Sequence, residues 1–392
     1  MLKSFALIFI LGLLFAKLFE VIKIPRIVGM LLVGIIIGPY CLGLIDSNTL
    51  LISADLRKIA LVIILIKAGL SLDLNDLKKV GRPAILLSFL PATFEIIGFM
   101  LIGTKLFHIS LIDAAIIGSI LGAVSPAVVV PKMVYLMDNH YGTNKAIPQL
   151  VLAGSSLDDV YVIVLFTSFV TMAQGGQISV MSFIDIPVSI VMGILLGIIF
   201  GYVLVNIFKK IKMTITRKLI LLFGVSLLLM AIESLLENII AVSGLLAVMA
   251  CSMYIKAKGE YANSLASSFG EVWNAFEIIL FVLVGAAVNI EYALNYGLLT
   301  VLAIILALVI RSIGTYLSLL GTSLNAKERM FVVISYLPKA TVQAAIGSVP
   351  LALGLNCGNL ALSIAVVSIL LTAPLGALGI DTTYKKLLSH DI

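Results

Sequence analysis

The sequence predicts an all-α polytopic membrane protein of about thirteen transmembrane helices, built as two inverted repeats. Three observations lead there. The 392 residues are 61% hydrophobic and 12% charged, with mean hydropathy +1.20, whereas a soluble domain is about 45–50% apolar and about 25% charged. Apolar runs of about eighteen residues or more recur from end to end, each long enough to span a bilayer as a helix. The basic residues between the runs are sorted to one side. The short runs of alternating polarity that a β-barrel needs do not occur.

The elements follow in chain order. The first span, 4–22, holds Lys17 and Glu20, three apart on one helix face. It lacks a small-residue cleavage site and reads as a retained span, not a signal peptide. The second, 25–40, is short. The third, 56–72, carries Lys67 toward its inner end, placed to snorkel to the interface. The fourth, 83–104, has Glu95 near its middle. The fifth, 112–135, is interrupted by Val124-Ser-Pro-Ala-Val-Val-Val-Pro131. The sixth, 147–173, contains Asp158 and Asp159. The seventh, 182–208, is a divider. The eighth and ninth, 218–235 and 238–255, are plain apolar runs apart from Glu233. The tenth, 268–288, holds Trp273, a packing or anchor residue, and Glu277. The eleventh, 294–320, carries Arg311. The twelfth, 329–350, is interrupted by Tyr336-Leu-Pro-Lys-Ala-Thr341. The thirteenth, 358–379, leaves a short tail. No loop is long enough for a soluble domain, so 1–392 is one transmembrane unit.

Eighteen Lys and Arg flank one side of these spans and four the other, with four more inside spans. The positive-inside rule then sets the N-terminus outside and the C-terminus in the cytoplasm of a multi-pass plasma-membrane protein. The same sorting explains the net charge of +6 without a nucleic-acid partner. Cys41, Cys251 and Cys357 are scattered, which suggests neither a disulfide framework nor a metal site.

Thirteen divides as six, one and six, so spans 1–6 and 8–13 would run with opposite topology. Paired oddities at matching positions mark such repeats. Spans 5 and 12 are both broken at proline. Spans 4 and 11 carry Glu95 and Arg311. Pro126 has no N–H, so the carbonyl of Gly122 loses its helical partner, and Pro338 does the same to Ile334. Freed carbonyls at membrane depth must be buried in protein or face water. Carbonyl ends of half-helices favour cations. Lys339, inside the second break, is placed to neutralise them. Ser125 and Thr341 can give oxygen ligands or satisfy backbone.

Two carboxylates at membrane depth cost on the order of 2.5–3.5 kcal/mol each on insertion scales. Asp158 and Asp159 carry that cost if they bind something positive. As neighbours they point about 100° apart, so one faces a cavity and the other its edge or a basic partner. Their oxygens suit Na⁺, Li⁺, K⁺, Ca²⁺ and H⁺ rather than soft metals. A site that holds protons or a cation, and not both, exchanges one for the other. Glu95 and Arg311 are expected to pair, which would leave Arg311 unavailable to an aspartate. The alternative is Arg311 facing Asp159.

At these residues the chain resembles the Na⁺/H⁺ antiporters of the cation:proton antiporter superfamily, in particular the double-aspartate, NHA-type branch related to NhaA. The matching stretches are Leu121-GAVSPAVVVP-Lys132, Ala153-GSSLDD-Val160, Ile310-RSIGTYL-Ser318, Leu337-PKATVQAAIGS-Val349 and Thr372-APLGAL-Gly379. The resemblance implies an NhaA-like fold with crossed discontinuous helices and elevator-type alternating access by a homodimer in the lipid bilayer. Helices in 56–173 and 268–379 would form the ion-transport core, and those in 1–55 and 182–255 the dimerisation domain and linker. It implies Na⁺ or Li⁺ at Asp158 and Asp159, with Val124 and Ser125 on the unwound crossing. Glu95, Arg311, Lys339 and Thr341 would support the site. Neither catalysis nor a resident cofactor is implied; the ions are cargo. Two carboxylates permit two protons per cation, hence electrogenic exchange. Rivals are a K⁺/H⁺ antiporter or K⁺ efflux protein on the same fold, a sodium-coupled organic-anion symporter, and an intramembrane aspartyl protease. The symporter has no need of the aspartate pair. The protease needs its two aspartates on facing helices, and here both share one.

Overall fold

Among the described residues, helix occupies the apolar segments and breaks off at both proline-marked sites. The computed structural model describes residues 1–22, 24–71, 81–175, 180–236, 242–289 and 297–391. Lys23, Lys78 and Lys79 of the basic flanks lie outside these residues, as does the start of the expected segment 238–255. The described helices are α1 (Leu2–Val21), α2 (Arg26–Ile37), α3 (Ser47–Leu51), α4 (Ser53–Ser71), α5 (Arg82–Leu106), α6 (Leu111–Gly122), α7 (Pro126–Asp138), α8 (Ile147–Gln174), α9 (Val180–Lys210), α10 (Ile215–Leu236), α11 (Gly244–Lys258), α12 (Ala262–Ala286), α13 (Gly297–Ser318), α14 (Ala326–Ser335), α15 (Thr341–Ile346), α16 (Val349–Ala352) and α17 (Gly358–Leu387).

Eight of these helices, among the described residues, are long and apolar enough to cross a membrane: α1, α5, α8, α12, α13, α17 and most of α9 and α10. Their packing has the polarity of a membrane protein. Along α13 the outward side chains are Leu298, Leu302, Ile305, Val309 and Ile313, all exposed. Its inward stripe is Thr300, Ala303, Ile304, Ala307, Arg311, Gly314, Thr315 and Ser318, with Ile304 the one large apolar residue among them. Small and polar residues face the protein and large apolar ones face out, because lipid gives no hydrophobic drive for helices to associate.

Local sequence accounts for the helix ends. The Ser110 hydroxyl accepts the Asp113 N–H at the start of α6. Asn325 and Glu328 form a reciprocal capping box on α14, which satisfies two of its orphan N–H groups. Pro126 opens α7 at a position where its missing N–H costs nothing. Lys17 and Glu20 do pair across α1, at 3.4 Å and largely exposed.

The chain forms two compact units. The first comprises Met1–Ala54, Asn75–Val162 and Leu280–Ile392. Within it α5 packs along α13 and also on α6, while α17 packs against α14. The close approach of α5 to α13 depends on Gly314: a Cβ there would lie 2.9 Å from Phe94 Cβ and 3.0 Å from the Leu90 carbonyl. The chain after α17 returns to the loop between α7 and α8. Gly142 N–H donates to Ser389 O at 2.9 Å, and Asp391 accepts from Thr143 and from the Asn144 N–H.

The second unit comprises Asp55–Leu74 and Ile163–Ile279. Its main contact is α9 on α11, where Gly193, Gly197 and Gly201 lie against the backbone or Cβ atoms of Ser243, Ala247 and Tyr254. Buried Lys218 sits over the rings of Phe208 and Tyr261.

Candidate ion-binding site

Two interrupted helices meet inside the first unit. The chain leaves helical geometry after Gly122, runs extended through Ala123 to Ser125, and re-enters helix at Pro126. It leaves again after Ser335 and resumes at Thr341. The breaks are joined to each other: Ser125 N–H donates to the Pro338 carbonyl at 2.8 Å. Lys339 N–H donates to Thr372 Oγ1 at 2.9 Å, which ties the second break to α17.

Four carbonyls at the end of α6 and the start of the break are taken by side-chain donors of the protein. Gly122 O accepts from Arg311 Nη1 and Leu121 O from Lys339 Nζ. Ile120 O and Ala123 O accept from Gln343 Nε2 at 3.1 and 2.9 Å. The proline effect at Gly122 is therefore real, but this carbonyl end is neutralised by the protein and not left for a cation. At the second break, Ile334 O is reclaimed by the Leu337 N–H at 3.3 Å, and Tyr336 O accepts from Arg311 Nε at 2.8 Å.

Glu95, Asp158, Arg311 and Lys339 are all fully buried. Arg311 pairs with Glu95 through Nη1 at 2.8 Å and with Asp158 through Nη2 at 3.1 Å. The expected Glu95–Arg311 pair forms, but it does not occupy Arg311. A guanidinium carries five donors in a rigid fork, and here the fork reaches two carboxylates and two carbonyls. The aspartate it reaches is Asp158, not Asp159. Lys339 Nζ donates to Glu95 Oε2 at 2.8 Å. It also lies 2.7 Å from Oε1, close enough for an ion pair though not aligned for a hydrogen bond.

The two aspartates are thus held differently. Asp158 Oδ2 accepts from the Val124 N–H at 2.8 Å as well as from Arg311, while its Oδ1 is buried without a hydrogen-bond partner. Asp159, one residue on, is half-buried, and its Oδ1 is also buried without a partner. Three carboxylates and two cations make up this cluster, so one negative charge is left over when all are ionised. The Ser125 hydroxyl is buried beside the same unwound segment and lacks a partner too. Thr341 is buried at the first turn of α15. Among the described residues no group of three or more His, Cys, Asp or Glu has the arrangement of a metal centre.

Three site residues had not been singled out from sequence. Tyr336 lends its carbonyl to Arg311, and its ring centroid lies 5.7 Å from the guanidinium. Thr372 holds the Lys339 N–H. Gln343 lies four residues beyond Lys339, the one amide among the apolar residues and Thr341 of α15, a signal present in the sequence.

Known proteins resemble the chain along nearly its whole length. The profile of the family "Sodium/hydrogen exchanger, transmembrane" matches residues 5–386. "Sodium/hydrogen exchanger 9B2" of Pongo abelii is 32% identical over 398 residues, spanning 97% of this chain and 72% of that protein. "Sodium/hydrogen exchanger 9B1" of Mus musculus is 34% identical over 408 residues, spanning 98% of this chain and 70% of that one. The solved structure of the sodium proton antiporter MjNhaP1 from Methanocaldococcus jannaschii superposes with a TM-score of 0.85 at 22% identity, over 98% of this chain and 97% of that one. The fold is therefore that of MjNhaP1. With a profile match across nearly its whole length and relatives above 30% identity, the chain belongs to the transmembrane sodium/hydrogen exchanger family.

Proposed function

We propose that this protein is a secondary active transporter that exchanges Na⁺ or Li⁺ for protons, with Asp159 and the free oxygen of Asp158 as the exchange site. The observation that carries the reading is the asymmetry of the pair. Asp158 is tied to Arg311 and to the Val124 N–H, whereas Asp159 has a buried oxygen with no partner. The surplus negative charge of the cluster suits one monovalent cation or a proton, and binding one displaces the other. Ser125 supplies a neutral oxygen nearby. Val124 takes part through its N–H, which holds Asp158 in place.

Glu95, Arg311 and Lys339 act as a fixed scaffold. Arg311 and Lys339 neutralise the carbonyl end of α6, Glu95 binds the two cations to each other, and together they keep the unwound segments crossed. Thr341 supports the start of α15. Arg311, committed to four partners, is not a proton carrier. A second proton would go to Oδ1 of Asp158, leaving Oδ2 on Val124 and Arg311. Two protons per cation make the exchange electrogenic. Each charge moved is worth about 2.3 kcal/mol per 100 mV of membrane potential.

The wider reading is a double-aspartate, NHA-type member with thirteen spans in two inverted repeats. It works as a homodimer by elevator motion, in the plasma membrane, with the N-terminus outside. Helices of 56–173 and 268–379 form the moving core, and those of 1–55 and 182–255 the dimerisation domain and linker. The alternation of basic loops and the matched proline breaks support it.

The test is proton flux in proteoliposomes under a sodium gradient, with and without an imposed potential. Flux with Na⁺ and Li⁺ that responds to voltage is expected. Flux with K⁺ alone would transfer the assignment to K⁺/H⁺ exchange on the same fold.

A further inference from the structure

Gln343 holds a position that the charge network does not require. It is fully buried on α15. Its Nε2 lies 2.9 Å from Ala123 O, 3.1 Å from Ile120 O and 3.4 Å from Leu121 O. An amide has two hydrogens to give, and Ala123 and Ile120 take them. Turning the amide over would set its oxygen against three carbonyl oxygens, so the surroundings fix which end is which. The other end, Oε1, is buried and has no hydrogen-bond partner.

The consequence concerns the number of oxygens a cation can gather at the crossing. Without Gln343, Ile120 O and Ala123 O would be bare carbonyls next to the Val124 N–H that holds Asp158. Lys339 and Arg311 already cover Leu121 O and Gly122 O. With Gln343 in place, every one of the four is spent, so the crossing adds no backbone carbonyl to the carboxylate oxygens Asp158 Oδ1 and Asp159 Oδ1 and the neutral Ser125 Oγ, Tyr336 Oη and Gln343 Oε1 that lack a hydrogen-bond partner. A few strongly charged oxygens suit a small cation of high charge density. Many neutral carbonyls suit a larger one, as in potassium-selective filters.

We propose that Gln343 is a specificity-determining positioning residue: its amide withholds the Ile120 and Ala123 carbonyls from the transported cation, which biases the site toward Na⁺ and Li⁺ and against K⁺. This rests on the ion-exchange reading above and adds a residue and a selectivity to it.

The experiment reads initial rates of cation-driven proton flux for Li⁺, Na⁺ and K⁺ in proteoliposomes carrying wild type, Gln343→Ala and Gln343→Leu. Leucine keeps most of the volume and gives no hydrogen bond. Both variants are expected to raise KM for Na⁺ and to narrow the Na⁺-to-K⁺ ratio of kcat/KM by about tenfold, which is about 1.4 kcal/mol, the scale of one hydrogen bond. A purely architectural amide would slow all three cations alike, and an unchanged ratio overturns the assignment. Should neither variant reach the membrane folded, heat stabilisation by each cation is compared between the wild type and the milder Gln343→Asn. A preference for Na⁺ and Li⁺ over K⁺ that shrinks in Gln343→Asn supports the proposal, and an equal preference in both overturns it. A wild type that exchanges none of the three cations refutes the ion-exchange reading itself. A selective wild type beside an equally selective Gln343→Ala refutes only the role of Gln343.

Discussion

Replacing Arg311 by Met tests the charge network at its centre. The change keeps the length of the side chain and removes every donor. Glu95 keeps Lys339 at 2.8 Å, but Asp158 keeps only the Val124 N–H. Gly122 O and Tyr336 O each lose a donor. Breaking a buried ion pair by removing one partner costs about 3–5 kcal/mol. Each orphaned buried carbonyl adds about 1–3 kcal/mol, although the contributions overlap. Against a total stability of about 5–15 kcal/mol, the single variant loses most of its thermal stability. A second substitution then identifies which acid was stranded. In the Arg311→Met background, Asp158→Asn removes the unpaired charge and is expected to recover about 1–3 kcal/mol, the range of coupling between contacting groups. Asp159→Asn in that background recovers little. The assay is thermal melting in detergent of the wild type, the single variant and the two doubles, closed as double-mutant cycles. Rescue by Asp159→Asn and not by Asp158→Asn would show that Arg311 faces the other acid, and the division of labour argued here would be wrong.

Two further outcomes follow from packing and from the C-terminal contacts. Gly314→Ala places a methyl 2.9 Å from Phe94 Cβ and is expected to cost about 1–3 kcal/mol by forcing α5 from α13, while Gly270→Ala, with nothing within 4 Å, is neutral or stabilising in the same melting assay. The Asn144 N–H, with help from Ser389 and Thr143, holds the Asp391 carboxyl below its usual value. A lowered folded value means the contribution is present above the unfolded value and disappears as pH falls through the folded one. Melting of the wild type should therefore weaken below about pH 4 more than that of Asp391→Asn, and parallel acid profiles would remove Asp391 from the account.

Much of this architecture was legible in the sequence because membrane burial makes polar residues conspicuous. Pro126 and Pro338 marked both breaks, since a missing N–H in an apolar run has few benign explanations. Glu95 and Arg311 announced a pair by their matching depth in spans 4 and 11. The aspartates announced themselves by cost. Their unequal roles were not legible. Adjacent residues on a helix look equivalent until the Val124 N–H and the Arg311 fork arrive from segments 34 and 153 residues away. That Arg311 serves two acids at once is likewise a property of four segments meeting. The carbonyl end of α6 looked like a cation ligand because its cappers, Gln343 above all, lie 189 to 223 residues distant in the chain. The tail beyond α17 gave no warning of its hydrogen bonds to the loop before α8, because Ser389 and Asp391 are ordinary polar residues outside any periodic pattern.

The most direct measurement is proton release on sodium binding, made with purified protein in weakly buffered detergent solution. Adding Na⁺ to the wild type near the pH where the acid is protonated should acidify the solution. Asp158→Asn should bind sodium more weakly yet still release protons. Asp159→Asn should do neither. Undiminished acidification from Asp159→Asn, or sodium binding to the wild type with no proton set free at any pH, would contradict the claim that one carboxylate trades the two ions.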